Sequence, residues 1–158
     1  MFNTKNLIWT NLNQIRNIPD HILTWLDDYQ SLTAKLKQKF NRFSINILSQ
    51  EESIPHADEI ELLDCHSQFV VREVELLGND QVIVFARSII PITNNTQNLL
   101  KIGSHPLGEM LFNDTNIKRG QLQITHTHGT WGRRSIFTIS STQVLVSEFF
   151  IKTNKLIS

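Results

Sequence analysis

The order of elements along this 158-residue chain predicts a single α+β domain, in which helices cover an antiparallel β-sheet of about six strands. Three observations support this fold class. Six short segments have the composition and the two-residue period of strands. Gly78-Asn79-Asp80, between two of these segments, is a turn signal typical of antiparallel hairpins. No linker rich in Pro, Gly or Ser divides the chain, so we take 1–158 as one domain with its core at about 20–151.

Four helices are expected, in two blocks. Before the sheet, Pro19-Asp20 opens a short helix, and Ser31 caps a second one with apolar residues at helical spacing. The second block lies between the third and fourth strands. There we expect one helix at Thr96–Ile102 and another at Pro106–Phe112, with Ser104 as its cap. The helices therefore stand apart from the hairpins, as in an α+β protein.

The strands surround the second helical block, and a polar loop is expected after the first strand, from Ser49 to about Glu61. The predicted strands are Phe43–Leu48, Phe69–Leu76, Gln81–Ile90, Gln121–His126, Ser135–Ser140 and Gln143–Ile151.

Composition narrows the possible partners. Lys and Arg together number 15, as do Asp and Glu, so the formal net charge is zero. Broad binding to nucleic acid requires a clustered excess of positive charge, whereas a small anion needs only one or two cations. Cys65 is the single cysteine, which rules out an intramolecular disulfide and a site built on several cysteines. No apolar run approaches the ~20 residues of a membrane span, and the N-terminus has no secretory signal pattern.

Two charged residues lie on strand faces that are otherwise apolar. Arg72 has a valine two positions away on either side, and Glu148 lies between a valine and a phenylalanine on its face. An unpaired buried charge costs several kcal/mol, roughly, so such residues are paired, hydrated or bound to a ligand. One interpretation is a pocket for a small polar anion. The other is structural, with Arg72 and Glu148 paired to each other or to other partners, and the pattern alone favours neither interpretation.

Several motifs in a fixed order indicate a family. Five of them are given below, and Trp25-Leu26 and Ser31-Leu32-Thr33 precede those five at suitable spacing. The whole series resembles chorismate lyase, including the divergent forms of cyanobacteria and red-algal plastids. The resemblance extends from about Ile22 to Ile151. The five motifs are Val71-Arg72-Glu73-Val74, Phe85-Ala86-Arg87-Ser88 with Pro91, His105-Pro106-Leu107-Gly108 with Leu111-Phe112, Trp131-Gly132-Arg133-Arg134-Ser135, and Val146-Ser147-Glu148-Phe149-Phe150.

The resemblance implies an enzyme that converts chorismate to 4-hydroxybenzoate and pyruvate without metal or cofactor, in a small pocket enclosed by helices. Arg72 would hold the ring carboxylate, and Glu148 would lie at the ring hydroxyl. Leu32 and Leu107 would contribute backbone contacts, and Leu32 departs from the methionine of the better-studied bacterial form. Independently, the first turn of a helix offers free N–H groups to an anion. Glu148 could donate a proton, bind the ring hydroxyl or only orient the ring.

The resemblance also implies a monomer with chorismate and 4-hydroxybenzoate as its small-molecule partners, in the cytoplasm or, if plastid-encoded, in the plastid stroma. A second hypothesis is a non-catalytic binding module, because the same fold resembles the ligand-sensing UTRA domains of transcription regulators. No DNA-binding helix-turn-helix fits before Phe43. A third hypothesis is a member of the family that has lost catalysis.

Other candidate residues carry weaker signals. Arg87 could serve the second carboxylate of chorismate, but an acidic structural partner is the simpler expectation. Arg133 and Arg134 would point to opposite faces of a strand, so at most one faces a pocket. The His126-Thr127-His128 spacing occurs in some zinc sites, but no third ligand is evident, and solvated histidines are expected. The remaining expectations are exposed charges at Glu73, Glu75 and Glu109, an inert thiol at Cys65 and a core position for Trp131.

Overall fold

The computed structural model describes residues 2–63, 65, 67–113, 116–151 and 156. Its short 3-10 turns are Leu12–Gln14 and Asn94–Thr96. The helices are α1 (Asp20–Leu26), α2 (Leu32–Lys39), α3 (Ala57–Leu63), α4 (Gln97–Leu100) and α5 (Leu107–Asn113). The strands are β1 (Thr10–Asn11), β2 (Phe43–Glu52), β3 (Phe69–Gly78), β4 (Gln81–Pro91), β5 (Lys118–Arg119), β6 (Gln123–Thr127), β7 (Thr130–Ile139) and β8 (Thr142–Phe150).

All of these strands form one antiparallel sheet, which confirms the predicted fold class. Their order is β1-β6-β7-β8-β4-β3-β2, with β5 paired to β7. The described residues contain eight strands, so the prediction of about six was too low. The two additional strands, β1 and β5, have two residues each, which is too short for an alternating pattern to be detected.

The predicted hairpin between β3 and β4 is confirmed. Asn79 and Asp80 both have positive φ, at 49° and 66°, as the twist of an antiparallel hairpin favours. No helix within the described residues is long and apolar enough to cross a membrane.

Three local predictions need correction. The expected polar loop instead contains the end of β2 and helix α3, whose solvated face gives it a polar sequence. The helix expected at Thr96–Ile102 is limited to α4, after a 3-10 turn capped by Thr93. Strand β7 begins at Thr130 rather than at Ser135, because pairing with β6 and β8 extends it through two consecutive arginines.

The two faces of the sheet carry different layers. Helices α1 and α2 pack on one face of the sheet, against apolar side chains of β3 and β4. Helices α4 and α5 pack on the same face, closer to β7 and β8. Helix α3 packs on the opposite face, with an apolar cluster that includes Leu63, Val71 and Leu145. Residues outside the predicted 20–151 core also contribute, since Thr10 pairs with Ile124 and Leu156 is buried in the first cluster.

An ion network fixes α3 to its face of the sheet. Arg87 on β4 donates to both carboxylate oxygens of Glu59, at 2.9 and 2.8 Å, and to Glu73 Oε2 at 3.0 Å. Burial lowers the pKa of Arg87, but the hydrogen bonds and charges of the two glutamates outweigh this and raise it above its usual value. The expectation of an acidic structural partner for Arg87 therefore holds. The expectation of an exposed Glu73 is wrong, because its side chain is only 18% exposed.

Replacing Arg87 with methionine should lower the free energy of unfolding by about 3–5 kcal/mol, because it leaves the buried Glu59 without a counter-charge. Denaturant unfolding measures this. The control is Arg42→Met, which removes an ion pair with Asp80 in which both side chains are 70% exposed. This control should change the free energy of unfolding by about 0.5 kcal/mol or less. Equal effects of the two substitutions would contradict the structural role of Arg87.

Candidate functional site

Arg72 and Glu148 project from the same face of the sheet, the one covered by α2 and α5. The strand register aligns Arg72, Ser88 and Val146 in one row, and Glu148 lies opposite Ala86 in the next row. The two charged residues are thus two strands and two residues apart. With a strand spacing of ~4.8 Å and a rise of ~3.4 Å per residue, their Cα atoms are about 12 Å apart.

A narrow cavity lies between this face and the two helices. The four residues predicted to bind substrate, Arg72, Glu148, Leu32 and Leu107, all line it. Its other lining residues are Thr33, Ile45, Val74, Leu76, Ala86, Ser88, Pro106, Gly108, Leu111, Phe112, Arg119, Phe137 and Val146. Apolar side chains therefore separate a few charged groups, which is the usual composition of a small-molecule site.

Arg72 is a buried cation with no carboxylate partner among the described residues. Its guanidinium donates to Gln50 Oε1 at 2.6 Å and to the carbonyl oxygens of Gly103 and His105 at 3.0 and 3.2 Å. Arg72 is only 2% exposed, and this burial lowers its pKa. A desolvated guanidinium held by neutral acceptors keeps its charge available to an anion that enters the cavity.

Glu148 pairs with Arg133 rather than with Arg72. Arg133 Nε donates to Glu148 Oε1 at 2.9 Å, and the Arg133 side chain is 1% exposed. Its Nη1 also donates to the carbonyl oxygens of Trp25 and Asp28, at 3.0 and 2.8 Å. Arg72 and Glu148 therefore do not pair with each other, whereas Glu148 does have another structural partner, Arg133, which holds its carboxylate at the cavity wall.

Leu32 and Leu107 are the first residues of α2 and α5, so their N–H groups have no partner within the helix. The Ser31 side chain accepts a hydrogen bond from the Ala34 amide at 3.2 Å, which confirms it as the cap of α2. Helix α5 begins directly after Pro106, so the predicted start was one residue early. The two helix ends approach the cavity from the side opposite the sheet.

Arg119 is the site residue that the sequence analysis missed. It lies on β5, lines the cavity and donates through Nε to Ser135 Oγ at 2.8 Å. Burial and the neighbouring Arg133 lower its pKa to about 10, so it stays positively charged at neutral pH. A lone arginine on a two-residue strand carries no periodic signal, and only the pairing with β7 places it at the cavity.

Arg133 and Arg134 do point to opposite faces, as predicted. Arg134 lies on the α3 side, where it donates to Gln123 Oε1 at 2.8 Å and to Asp58 Oδ2 at 2.7 Å. Only Arg133 reaches the site, through its contact with Glu148. Because this strand was expected to begin only at Ser135, the register with β8 that brings Arg133 to Glu148 was not predicted.

The remaining candidates lie away from the cavity. His126 and His128 are exposed, and the His126 ring stacks on Trp131 with 3.9 Å between ring centroids. Within the described ranges, no three His, Cys, Asp or Glu side chains are grouped to hold a metal ion. Glu109 on α5 pairs with Lys37 on α2, so its charge connects the two helices over the cavity rather than being free on the surface.

The cavity is tight as it stands. Its free volume is about 40 Å³, which accommodates a few water molecules but not an aromatic acid. A larger open groove of about 470 Å³ lies beside α1, but its lining residues include no lysine, arginine or histidine. The cavity beneath α2 and α5 therefore has the charges that a carboxylate needs, but less room than an aromatic acid occupies.

Comparison with known sequences agrees with this site. The chain matches the family model described as chorismate lyase over residues 3–158. It is 32% identical to a probable chorismate pyruvate-lyase of Pseudoalteromonas atlantica, with 92% of this chain and 87% of that protein covered. It is 33% identical to a probable chorismate pyruvate-lyase of Idiomarina loihiensis, with 98% and 90% covered. The narrower resemblance to cyanobacterial and plastid forms has no support in these matches.

Solved structures share the fold at low sequence identity. The C-terminal domain of the histidine utilization repressor from Pseudomonas syringae pv. tomato has a TM-score of 0.52 and 8% identity, with 69% of this chain and 91% of that one covered. The ligand-binding domain of a putative GntR-family regulator from Bordetella bronchiseptica has a TM-score of 0.50 and 13% identity, with 70% and 84% covered. These likenesses confirm the expected UTRA-like fold and show the fold alone.

Proposed function

Because the chain belongs to the chorismate lyase family, we propose that it converts chorismate to 4-hydroxybenzoate and pyruvate in the cavity beneath α2 and α5. The observation that carries this proposal is the pair of charges in that cavity. Arg72 offers a guanidinium without a counter-ion among the described residues, and Glu148 offers a carboxylate across an apolar floor. A benzoate ring with an acid group and a hydroxyl at opposite ends matches this separation of charges.

Arg72 binds the ring carboxylate in this proposal. Its planar guanidinium suits a carboxylate, and its burial strengthens the attraction because little water screens it. The N–H groups of Leu32 and Leu107 donate to the same carboxylate, since both lack an acceptor within their helices. The substitution of leucine for methionine at Leu32 leaves such a backbone contact intact.

Glu148 accepts a hydrogen bond from the ring hydroxyl. Arg133 donates to one oxygen of this carboxylate and so holds it in place at the cavity wall. The hydroxyl is para to the ring carboxylate, so a ring that is bound at one end by Arg72 presents its hydroxyl to Glu148. These two contacts fix the orientation of the ring.

The reaction is an elimination that conserves atoms and electrons. The bond from ring carbon 3 to the ether oxygen breaks, and its electron pair leaves with the enolpyruvyl group, which takes up a proton to give pyruvate. The proton on ring carbon 4 is lost, and the ring becomes aromatic. Since aromatisation supplies the driving force, the protein contributes mainly by orienting the substrate and excluding water.

The closed cavity implies movement of the helices that cover it. Gly108 on α5 faces α2 at van der Waals distance, since a Cβ there would be 3.4 Å from Thr33 Oγ1, and the Lys37–Glu109 ion pair connects the same helices. Substrate entry therefore separates α2 from α5, and closure expels water from around the charged groups.

Mixing the purified chain with chorismate should produce the absorbance of 4-hydroxybenzoate together with pyruvate in equal amount. In parallel, 4-hydroxybenzoate at millimolar concentration should raise the melting temperature, by roughly 5 °C or more when its concentration is ~100-fold above Kd. The control ligand is benzoate, which lacks the hydroxyl that contacts Glu148 and should stabilise the protein less.

The outcomes separate the hypotheses. Binding of the aromatic acid without turnover of chorismate would favour the non-catalytic sensing module, and neither binding nor turnover would favour a member that has lost its site. Turnover with product binding supports the enzyme. We further propose a monomer in the cytoplasm whose product is a precursor of quinone head-groups.

A further inference from the structure

We propose that Arg119 binds the second carboxylate of chorismate, on the enolpyruvyl group, and so selects for the complete substrate over the product. This inference rests on the proposed function. Chorismate carries two carboxylates, and the ring carboxylate is assigned to Arg72. Arg119 is the second cation that lines the cavity among the described residues, whereas Arg133 is held behind Glu148.

The hydrogen-bond acceptors of Arg119 among the described residues are neutral. Nε donates to the Ser135 hydroxyl at 2.8 Å, and Nη1 donates to the Asp28 carbonyl oxygen at 3.3 Å. Neither acceptor carries a negative charge, no described residue accepts a hydrogen bond from Nη2, and Arg119 forms none of the ion pairs among the described residues. A half-buried guanidinium in this state favours an incoming anion.

Aromatic rings hold this guanidinium in place. Its central carbon lies 5.1 Å from the ring centroid of Phe137, 5.5 Å from that of Phe112 and 5.6 Å from that of Tyr29. These contacts fix the plane of the side chain without neutralising it. Arg119 is therefore oriented before the ligand binds, as expected of a group that recognises a carboxylate.

The position of Arg119 fits the geometry of the substrate. Ser135, which orients Arg119, lies in the same row of the sheet as Arg72, at the other end, with Ser88 and Val146 between them. Glu148 lies between the two arginines in strand order, one row from Arg72 and two rows from Arg119, which pairs with Phe137 in the register. In chorismate the ether carbon is next to the hydroxyl-bearing carbon, so a ring with its hydroxyl at Glu148 carries its enolpyruvyl group at the end away from Arg72, the end from which β7 and then β5 with Arg119 follow in the sheet.

In this position Arg119 interacts with the enolpyruvyl group of the substrate but not with the aromatic product. When the bond from ring carbon 3 to the ether oxygen breaks, its electron pair moves to the enolpyruvyl fragment, and a nearby cation stabilises the charge that develops there. 4-Hydroxybenzoate lacks the second carboxylate that Arg119 binds in this proposal. Substrate turnover and product binding should therefore depend differently on this residue.

The test is a comparison of Arg119→Met with Arg72→Met. Methionine preserves the packing against the aromatic rings and removes the charge. For Arg119→Met we expect kcat/KM for chorismate to fall by about 10- to 100-fold, because one charge-assisted hydrogen-bonding partner of the substrate is lost. The Kd for 4-hydroxybenzoate should change by about twofold or less. Arg119→Lys should recover part of kcat/KM, and Arg72→Met should weaken both. Lys118→Met, which removes an exposed cation on the same strand, is the matched control and should change neither.

Two results would overturn the inference while leaving the proposed function intact. The first is unchanged kcat/KM in Arg119→Met. The second is an equal loss of turnover and of 4-hydroxybenzoate affinity, which would indicate a structural cation whose removal disturbs the whole cavity. A wild-type chain that makes no 4-hydroxybenzoate would instead overturn the proposed function, and the inference with it.

Discussion

Replacing Arg72 with methionine should abolish measurable turnover and remove the thermal stabilisation by 4-hydroxybenzoate. A guanidinium that donates two hydrogen bonds to a carboxylate contributes about 3–6 kcal/mol, so kcat/KM and product affinity should each fall by roughly 10²- to 10⁴-fold. Coupled assay of pyruvate measures turnover, and thermal melting with and without ligand measures binding.

The effect of Arg72 is expected to exceed that of any exposed arginine, because little water screens its charge. Arg42→Met is the control for loss of a positive charge, and it should leave turnover unchanged. Arg72→Lys tests geometry, because a lysine keeps the charge but not the planar pair of donors, and we expect it to restore only a part of the activity. Normal turnover in Arg72→Met would remove this residue from the site.

Glu148→Gln should have the second-largest effect, a fall in kcat of about 10²- to 10³-fold. Glutamine keeps the shape of the side chain but is a weaker acceptor for the ring hydroxyl. It also leaves Arg133, 1% exposed, without a counter-charge, so the free energy of unfolding should fall by about 1–3 kcal/mol. Steady-state kinetics and denaturant unfolding measure the two consequences separately.

A double variant separates the chemical role of Glu148 from its structural role. In Glu148→Gln combined with Arg133→Gln, neither residue is charged, so part of the lost stability should return. Turnover should stay low, because the acceptor for the ring hydroxyl is still weakened. Recovery of turnover in the double variant would mean that Glu148 serves only to neutralise Arg133.

Much of the fold followed from local patterns. The hairpin at Asn79 and Asp80, the cap at Ser31 and the six longer strands each have a signal within a few consecutive residues. Helix α3 was missed because its buried side includes a glutamate, Glu59, whose burial depends on Arg87 some thirty positions later. A local pattern cannot contain that partner.

Local patterns also identified part of the candidate site. Alternation along a strand identified Arg72 and Glu148 as charges on apolar faces, because the side chains of a strand point to opposite faces with a period of two. The start of α2 at Leu32 was likewise predicted from the cap at Ser31, and the start of α5 was predicted at Pro106, one residue before Leu107. All four residues line one cavity.

The sequence by itself thus determined which residues are charged on which face of each strand. Only the tertiary structure decided which groups each charge contacts. Glu148 pairs with Arg133, whereas Arg72 and Arg119 donate to neutral acceptors. The physical reason is that periodicity sets the direction of a side chain within its own strand, whereas partners are set by strand order and register. Neighbours such as β4 and β8 are distant in the sequence, so no local pattern specifies their pairing.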